Sequence, residues 1–319
     1  MSSAPYRVSF IGGGTDTPES CEYHDGMVVS AAIDKYIHVL VNKKTLENNY
    51  RVAYKYDVEE VESIPEIKHN LVRDCLYYYS DHKDFLEIVT VGDVPGRGTG
   101  LGSSSALTVA LLSALSMMYA NSPPFCIPEV AFYIERKYSK LGRQDQYASY
   151  LGGMRSYRFH KSGAVEFSEW LPRPWRNMLE NNMILRYVGV ASENTNAILH
   201  EQSKSNLEYS SVVMSNLASK FADYLNDNLN NYTYHACLDL IDESWEIKKL
   251  YSSNICTEKV AQCISDMKEL GCKGLKVLGS GGGGFVMGFH PIRQVVKEEL
   301  GGEYLDVKLQ GAINTHICG

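Results

Sequence analysis

Apolar positions in this chain change their period along its length. Residues 5 to 11 alternate into a β-branched and aromatic run that stops at Gly12-Gly13-Gly14, and residues 27 to 42 carry Val, Ile, Tyr and Leu at strand density. The chain therefore opens with sheet. A helical stretch over 66 to 80, a strand over 85 to 91 and a glycine-rich loop from Gly92 to Gly102 follow. From Ser103 to about Met118, the residues Ala106, Leu107, Ala110, Leu111, Ala114, Leu115 and Met118 recur at helical spacing, with Ser103 to Ser105 offering capping oxygens at the start. Further helices are predicted over Pro128 to Leu141 and, after Gly142, across Gln144, Asp145 and Gln146. A Lys161-Ser162-Gly163 turn between two alternating runs predicts a hairpin over Arg155 to Phe167.

Beyond about residue 170 the pattern becomes that of long helices, near 193 to 227, 234 to 252 and 257 to 270. Two strands flank Gly279 to Gly284, and a helix near 291 to 300 leads to a last strand near 303 to 309. A β-rich half followed by an α-rich half is an α+β pattern, not the regular alternation of a doubly wound fold. With 319 residues the chain exceeds what one hydrophobic core usually serves, so two domains are expected, 1–170 and 171–319.

Composition narrows the function classes. Hydrophobic residues make up 44% and charged ones 22%, which suits an ordinary globular protein. The formal net charge is -7, and the longest cationic pieces are pairs such as Lys43-Lys44 and Lys248-Lys249, too short to follow a nucleic-acid backbone. Nucleic acid is not an expected partner. Neither a secretory leader nor an apolar run of membrane-spanning length is visible, so no membrane partner is expected and the cytoplasm is the predicted location. The eight cysteines, Cys21, Cys75, Cys126, Cys237, Cys256, Cys263, Cys272 and Cys318, are spread singly and read as reduced thiols.

Three glycine-rich segments carry candidate chemistry. Val8 to Pro18 runs a strand into Gly12-Gly13-Gly14, but Thr17 occupies the third glycine position of a dinucleotide-binding turn and Pro18 stands where its helix should begin. Asp93 to Ala106 is more informative. Gly96, Gly98, Gly100 and Gly102 let backbone approach a ligand, and the helix that follows presents unpaired N–H groups and a positive dipole end, the ingredients of a phosphate cradle. No lysine precedes Ser103, so this is not the Walker A spacing, and a helix-capping loop is its rival. Val277 to Met287 places small residues between two apolar strands and reads, taken singly, as a turn. Glu135 and Asp145 are the carboxylates of interest, with bland alternatives: an exposed helix acid beside Arg136 and Lys137, and a helix cap.

Taken in order, Ala4-Pro5-Tyr6-Arg7 through Asp16, Pro95 to Ala106 and Leu278 to Phe285 resemble the three motifs of the GHMP kinase superfamily. The resemblance implies a first domain like the second domain of ribosomal protein S5, a ferredoxin-like second domain, and an active site between them. It implies ATP and Mg²⁺, with Gly96, Gly98, Gly100, Leu101, Gly102, Ser103, Ser104 and Ser105 around the nucleotide phosphates and Ser104 with Glu135 at the metal. Asp145 resembles the family's catalytic aspartate, and Arg7 the cation beside it. Gly13, Gly14, Thr15 and Asp16 would meet the sugar, and Gly281, Gly282 and Gly283 would face substrate and phosphates. Galactokinases have Gly-Glu-His before Thr-Asp where this chain has Gly12-Gly13-Gly14. That form, with Gln144 to Ala148, Gly152-Gly153 and the segment Asn194 to Ser203, looks like the branch of D-glycero-D-manno-heptose 7-phosphate kinases, acting on a sugar phosphate at its C1 oxygen. Other sugar 1-kinases, for fucose, arabinose, galactose or an N-acetylhexosamine, remain alternatives, as does a non-catalytic sugar or nucleotide sensor. A homodimer is one expected assembly. For the acceptor's own phosphate, Arg155, Arg158, Lys161 and Lys204 are candidate cations, each read first as an ordinary surface charge and none assigned as a site.

Overall fold

The computed structural model describes residues 1–55, 57–79, 81, 83–95, 98–119, 127–168, 172–190, 195–203 and 207–310. Gly96, Cys126, Asn194, Lys204 and Cys318, named above, lie outside the described residues. The six described cysteines are free thiols.

The N-terminal half opens with β1 (Ser2–Ile11), one turn of helix α1 (Pro18–Cys21) capped by the Thr17 hydroxyl, and the 18-residue strand β2 (Gly26–Lys43). After β3 (Tyr50–Tyr54) and β4 (Asp57–Val61) come α2 (Asn70–Tyr78), β5 (Leu86–Gly92), α3 (Ser103–Met118), α4 (Ile127–Arg136) and α5 (Gln144–Leu151). The hairpin of β6 (Met154–Phe159) and β7 (Val165–Phe167) closes this half. Its seven strands form one sheet ordered β4-β3-β5-β2-β6-β7, with β1 also on β2. The length of β2 makes it the spine: Gly26–Ala31 pair with β6, Ile37–Lys43 with β5, and β1 runs antiparallel along its other edge. Helix α3 lies over β1 and β2 and is buried around most of its circumference, as its uniformly apolar sequence requires.

The second half contains α6 (Arg173–Asn182), β8 (Met183–Tyr187), α7 (Thr195–Gln202), α8 (Leu207–Asn226), α9 (Asn231–Lys249), α10 (Glu258–Glu269), β9 (Lys273–Val277), β10 (Phe285–Phe289) and α11 (Arg293–Leu300). Its sheet is ordered β8-β10-β9. The strand expected near 303 to 309 is reduced to isolated bridges, Arg186 with Tyr304 and Ile33 with Leu309. Backbone bonds from Tyr187 to Glu303 and from Leu305 to Leu185 nevertheless lay this segment along the free edge of β8, completing the β-α-β-β-α-β succession of a ferredoxin-like unit. The fold is thus α+β with two unlike halves. The long helix expected from 193 to 227 is two helices, α7 and α8, and periodicity alone did not reveal β3, β4, α6 or β8. The expected boundary at 170 falls on residues outside the description.

The halves share apolar contacts. Phe10 of β1 is fully buried, and its ring lies 6.4 Å from Phe221 of α8 and 6.4 Å from Phe289 of β10. One hydrophobic cluster runs from β1, β2 and α3 through Phe10 into α8, α9 and β10. Truncating Phe10→Ala is therefore expected to cost about 3–5 kcal/mol and to shift one cooperative unfolding transition. Far-ultraviolet circular dichroism and tryptophan fluorescence in a denaturant titration check this; separate transitions for the two probes in the parent protein would contradict a shared core.

Candidate active site

Three distant segments meet at the N-terminus of α3. Arg7, carried by β1, is only 3% exposed. Its Nε donates to Asp145 Oδ1 at 2.7 Å and its Nη2 to Asp145 Oδ2 at 2.6 Å, a bidentate fork. Its Nη1 donates to the Gly100 carbonyl at 2.5 Å, and its backbone N–H to the Leu101 carbonyl at 3.0 Å. Asp145 sits in the first turn of α5, whose N-cap is Arg143, so its carboxylate is committed to Arg7 and not to a cap. Its side chain keeps 24% exposure, enough to meet a ligand.

The loop before α3 is shaped by glycine. Gly98, Gly100 and Gly102 all have positive φ, and Gly102 is the N-cap of α3 with no side chain to spend on the first-turn N–H groups. The capping expected from Ser103 to Ser105 does not occur, which leaves that positive helix end to an incoming anion. A Cβ on Gly102 would press to 3.3 Å from Asp145 Oδ2 and 3.4 Å from Arg7 carbons. One on Gly100 would meet the Leu278 carbonyl oxygen at 2.5 Å, so the second glycine loop backs the first. Phe285 N–H donates to the Thr99 carbonyl at 3.2 Å across the same seam. Gly281, Gly282 and Gly283 are buried; Gly282 N–H bonds the Ile255 carbonyl at 2.9 Å and a Cβ on Gly281 would press on Ile255. Their observed work is to seat this loop.

Glu135 of α4 is 2% exposed, not a solvated helix acid. Its Oε2 accepts from the Ser105 hydroxyl at 3.0 Å and its Oε1 from Gln146 Nε2 at 2.9 Å, and the Ser104 hydroxyl also bonds it. Burial pushes its carboxyl up to about 7 against these bonds. Ser105 is buried and braces Glu135, whereas Ser104 is exposed at the helix end. A serine hydroxyl and a carboxylate side by side at a phosphate-accepting helix end are hard oxygen donors that fit Mg²⁺.

The Gly12–Asp16 loop forms the opposite wall. Asp16 is 2% exposed; its Oδ1 accepts from Gly14 N–H at 3.1 Å and its Oδ2 from Gln144 N–H at 2.9 Å, while burial raises its carboxyl above the ordinary range. It ties the glycine loop to the start of α5. Thr15 is fully buried, its hydroxyl engaged with the Gly12 and Met27 backbone, so it braces the loop and offers nothing to a ligand. Gly13 faces Gln144 and the Ser9 hydroxyl, and Gly14 faces Gln202 and Tyr251. Among the described residues, Ser9 Oγ, Gln144 Oε1 and Tyr251 Oη are buried polar atoms without a hydrogen-bond partner, and their side chains lie around these two glycines.

Two lysines complete the site, and no motif pointed to them. Lys276 of β9 bonds the Ser9 and Phe10 carbonyls, each at 3.2 Å, and burial, with Lys248 and Arg7 nearby, lowers it to about 7. Lys248 of α9 bonds Gln202 Oε1 at 3.2 Å and is lowered by burial to about 8. The signal was present as Lys248-Lys249, but only a helical projection separates the inward residue from the outward one. Arg155, in contrast, is spent on the Gly152 and Ser168 carbonyls.

The tie between Asp16 and α5 generates a test. A methyl on Gly142 would overlap the Asp16 carboxylate, so Gly142→Ala should displace the start of α5 and with it Asp145. Turnover should fall on the order of 100-fold, as ångström-scale misplacement of a reacting group does, with the circular dichroism spectrum retained; steady-state kinetics at parent levels would contradict this.

Known proteins share this fold. Residues 70–153 match the model for the GHMP kinases N terminal domain, and residues 221–300 that for the GHMP kinases C terminal domain. The structure is similar to a D-glycero-D-manno-heptose 1-phosphate kinase from Bacteriodes thetaiotaomicron (23% identity, TM-score 0.74, 98% of this chain and 97% of that one). It is also similar to Lactococcus lactis galactokinase complexed with galactose (15%, 0.73, 98% and 94%) and to Streptococcus pneumoniae phosphomevalonate kinase in complex with phosphomevalonate and AMPPNP (12%, 0.72, 98% and 99%). At these identities the likeness is one of fold. The two domain models together take in more than half of the chain, the N-terminal one before the C-terminal one, and the chain belongs to the GHMP kinases.

Proposed function

We propose that the protein is an ATP-dependent sugar 1-kinase whose acceptor carries a phosphate of its own, with D-glycero-D-manno-heptose 7-phosphate as acceptor and the 1,7-bisphosphate as product. The observation that carries the kinase reading is the Arg7–Asp145 fork lying against Gly102, where α3 opens toward a phosphate. Phosphoryl transfer needs an oriented acceptor oxygen beside a charge-stabilised phosphoryl group. Asp145 would orient the acceptor hydroxyl and take its proton. Arg7 fixes that carboxylate through both of its oxygens and adds positive charge beside the reacting oxygens. The glycine loop and the open first turn of α3 would hold the nucleotide phosphates. Ser104 and Glu135 would hold Mg²⁺, which supplies charge neutralisation on the phosphate oxygens when bound.

Support for a sugar comes from the acceptor wall. The buried, unpartnered oxygens of Ser9, Gln144 and Tyr251 suit a ligand with several hydroxyls, since each pairing recovers the cost of a buried unsatisfied group. Both Asp16 oxygens retain a further lone pair for the same purpose. Glycines stand at 13 and 14 where galactokinases carry Glu and His, and the neutral side chains of Gln202 and Tyr251 pack beside Gly14, so the wall is less acidic, which favours an anionic acceptor. The cytoplasm is the setting of this reading.

A panel of sugars with and without a terminal phosphate, assayed for ATP consumption with Mg²⁺, tests it. The heptose 7-phosphate should be used better than heptose, mannose, galactose or fucose by about 100-fold or more in kcat/KM, because a neutral sugar leaves buried polar groups unpaired. Efficient use of a neutral sugar, with no gain from a phosphate, would overturn the acceptor assignment.

A further inference from the structure

Lys248 has an unusual position for a lysine. It lies in the last turn of α9 and is 7% exposed, whereas its neighbour Lys249 turns outward to Glu246 and the Trp245 ring. Its ammonium has one hydrogen-bond partner, the neutral amide oxygen of Gln202, and lies 5.1 Å from the centroid of the Tyr251 ring. No carboxylate is within salt-bridge distance of it among the described residues, although Asp16 and Asp145 are near enough to act on its charge. A buried cation is ordinarily paired, because desolvating it without a counter-charge is costly.

The surroundings are those of the acceptor wall. Gln202 bonds Lys248 through its amide oxygen, while its Nε2 and an edge carbon of Tyr251 lie against Gly14. The Tyr251 hydroxyl is buried and without a hydrogen-bond partner. Lys248 and Arg7 both act on the charge of Lys276, and Arg7, Asp16 and Asp145 on that of Lys248, so three cations share this region with the two carboxylates.

We propose that Lys248, with Tyr251 and Gln202, is the subsite for the anionic group of the acceptor, and that it determines the preference for a phosphorylated sugar. The inference rests on the reading of the acceptor as a sugar phosphate. An ammonium donating to a phosphate oxygen gains the charge-assisted bond that the neutral amide cannot supply, and the tyrosine hydroxyl adds a donor beside it. Glycine at position 14 lets Gln202 and Tyr251 close on the loop, which sets both beside the acceptor wall. The nucleotide γ-phosphate is the other anion that could claim Lys248, and kinetics separate the two.

The test measures KM and kcat for D-glycero-D-manno-heptose 7-phosphate and for the unphosphorylated heptose, with KM for ATP, in the parent, Lys248→Met, Lys248→Arg and Gln202→Glu. Lys248→Met should raise KM for the phosphorylated acceptor about 100-fold, the worth of a charged hydrogen bond, while the unphosphorylated heptose and ATP keep parent values within about threefold. Lys248→Arg should recover part of the loss. Gln202→Glu supplies Lys248 with a carboxylate and should lower the same preference by about tenfold; it decides the matter if Lys248→Met does not fold. An undiminished preference in either variant overturns the subsite. Equal losses on both acceptors, or a raised KM for ATP, overturn it in favour of a role at the transferred phosphate. A parent enzyme that gains nothing from the 7-phosphate overturns the acceptor reading itself, which the parent measurements alone reveal.

Discussion

A guanidinium held away from water imposes its geometry on everything around it. Arg7 has 3% of its surface exposed, and removing such a cation from water is tolerable only when its charge is paired and hydrogen-bonded. Two of its donors go to Asp145 and one to the Gly100 carbonyl, and the strand that carries it also bonds Leu101. The same side chain therefore sets the positions of β1, the phosphate-facing loop and the first turn of α5. Displacing any one of the three would strand a charge. The pair also does chemical work, because the carboxylate it anchors is the one that meets the acceptor in our reading.

Around that pair the fold supplies rigidity from both halves of the chain. The second glycine loop presses on the first, with Gly100 against Leu278 and Gly284 against Thr99, so the phosphate loop is clamped between the pair and the second half. Phe10, three residues along β1 from Arg7, anchors the same strand in the core shared with α8 and β10. The site collects Arg7, Lys248 and Lys276 in a chain whose net charge is -7, a local field suited to phosphorylated ligands.

Much of this was legible in the sequence because it depends on local patterns. The span of α3 follows from its apolar spacing, and the turn of the β6–β7 hairpin from Lys161-Ser162-Gly163. The association of Arg7 with Asp145 came from the family resemblance, since nothing local links residues so far apart. What escaped has a common cause. Strands β3, β4 and β8 are short, and β3 and β4 mix charged residues with apolar ones, so their register is set by the neighbouring strands. Gly282 and Thr15 look like ligand contacts in a motif, yet the Gly282 N–H bonds the Ile255 carbonyl and the Thr15 hydroxyl bonds the Gly12 and Met27 backbone. Lys248 and Lys276 carry no motif at all, and only their buried contacts, Lys276 with the Ser9 and Phe10 carbonyls of β1 and Lys248 with Gln202, distinguish them from surface lysines.

The central claim is that Arg7 and Asp145 act as one unit. A double-mutant cycle on kcat with Arg7→Met, Asp145→Asn and the double variant, at saturating MgATP and acceptor, tests it most directly. Groups that act together are strongly non-additive. The account predicts that each single variant loses about 100-fold or more and that the double variant loses little beyond the worse single one. Losses that multiply across the cycle, or an Asp145→Asn enzyme with parent turnover, would contradict it.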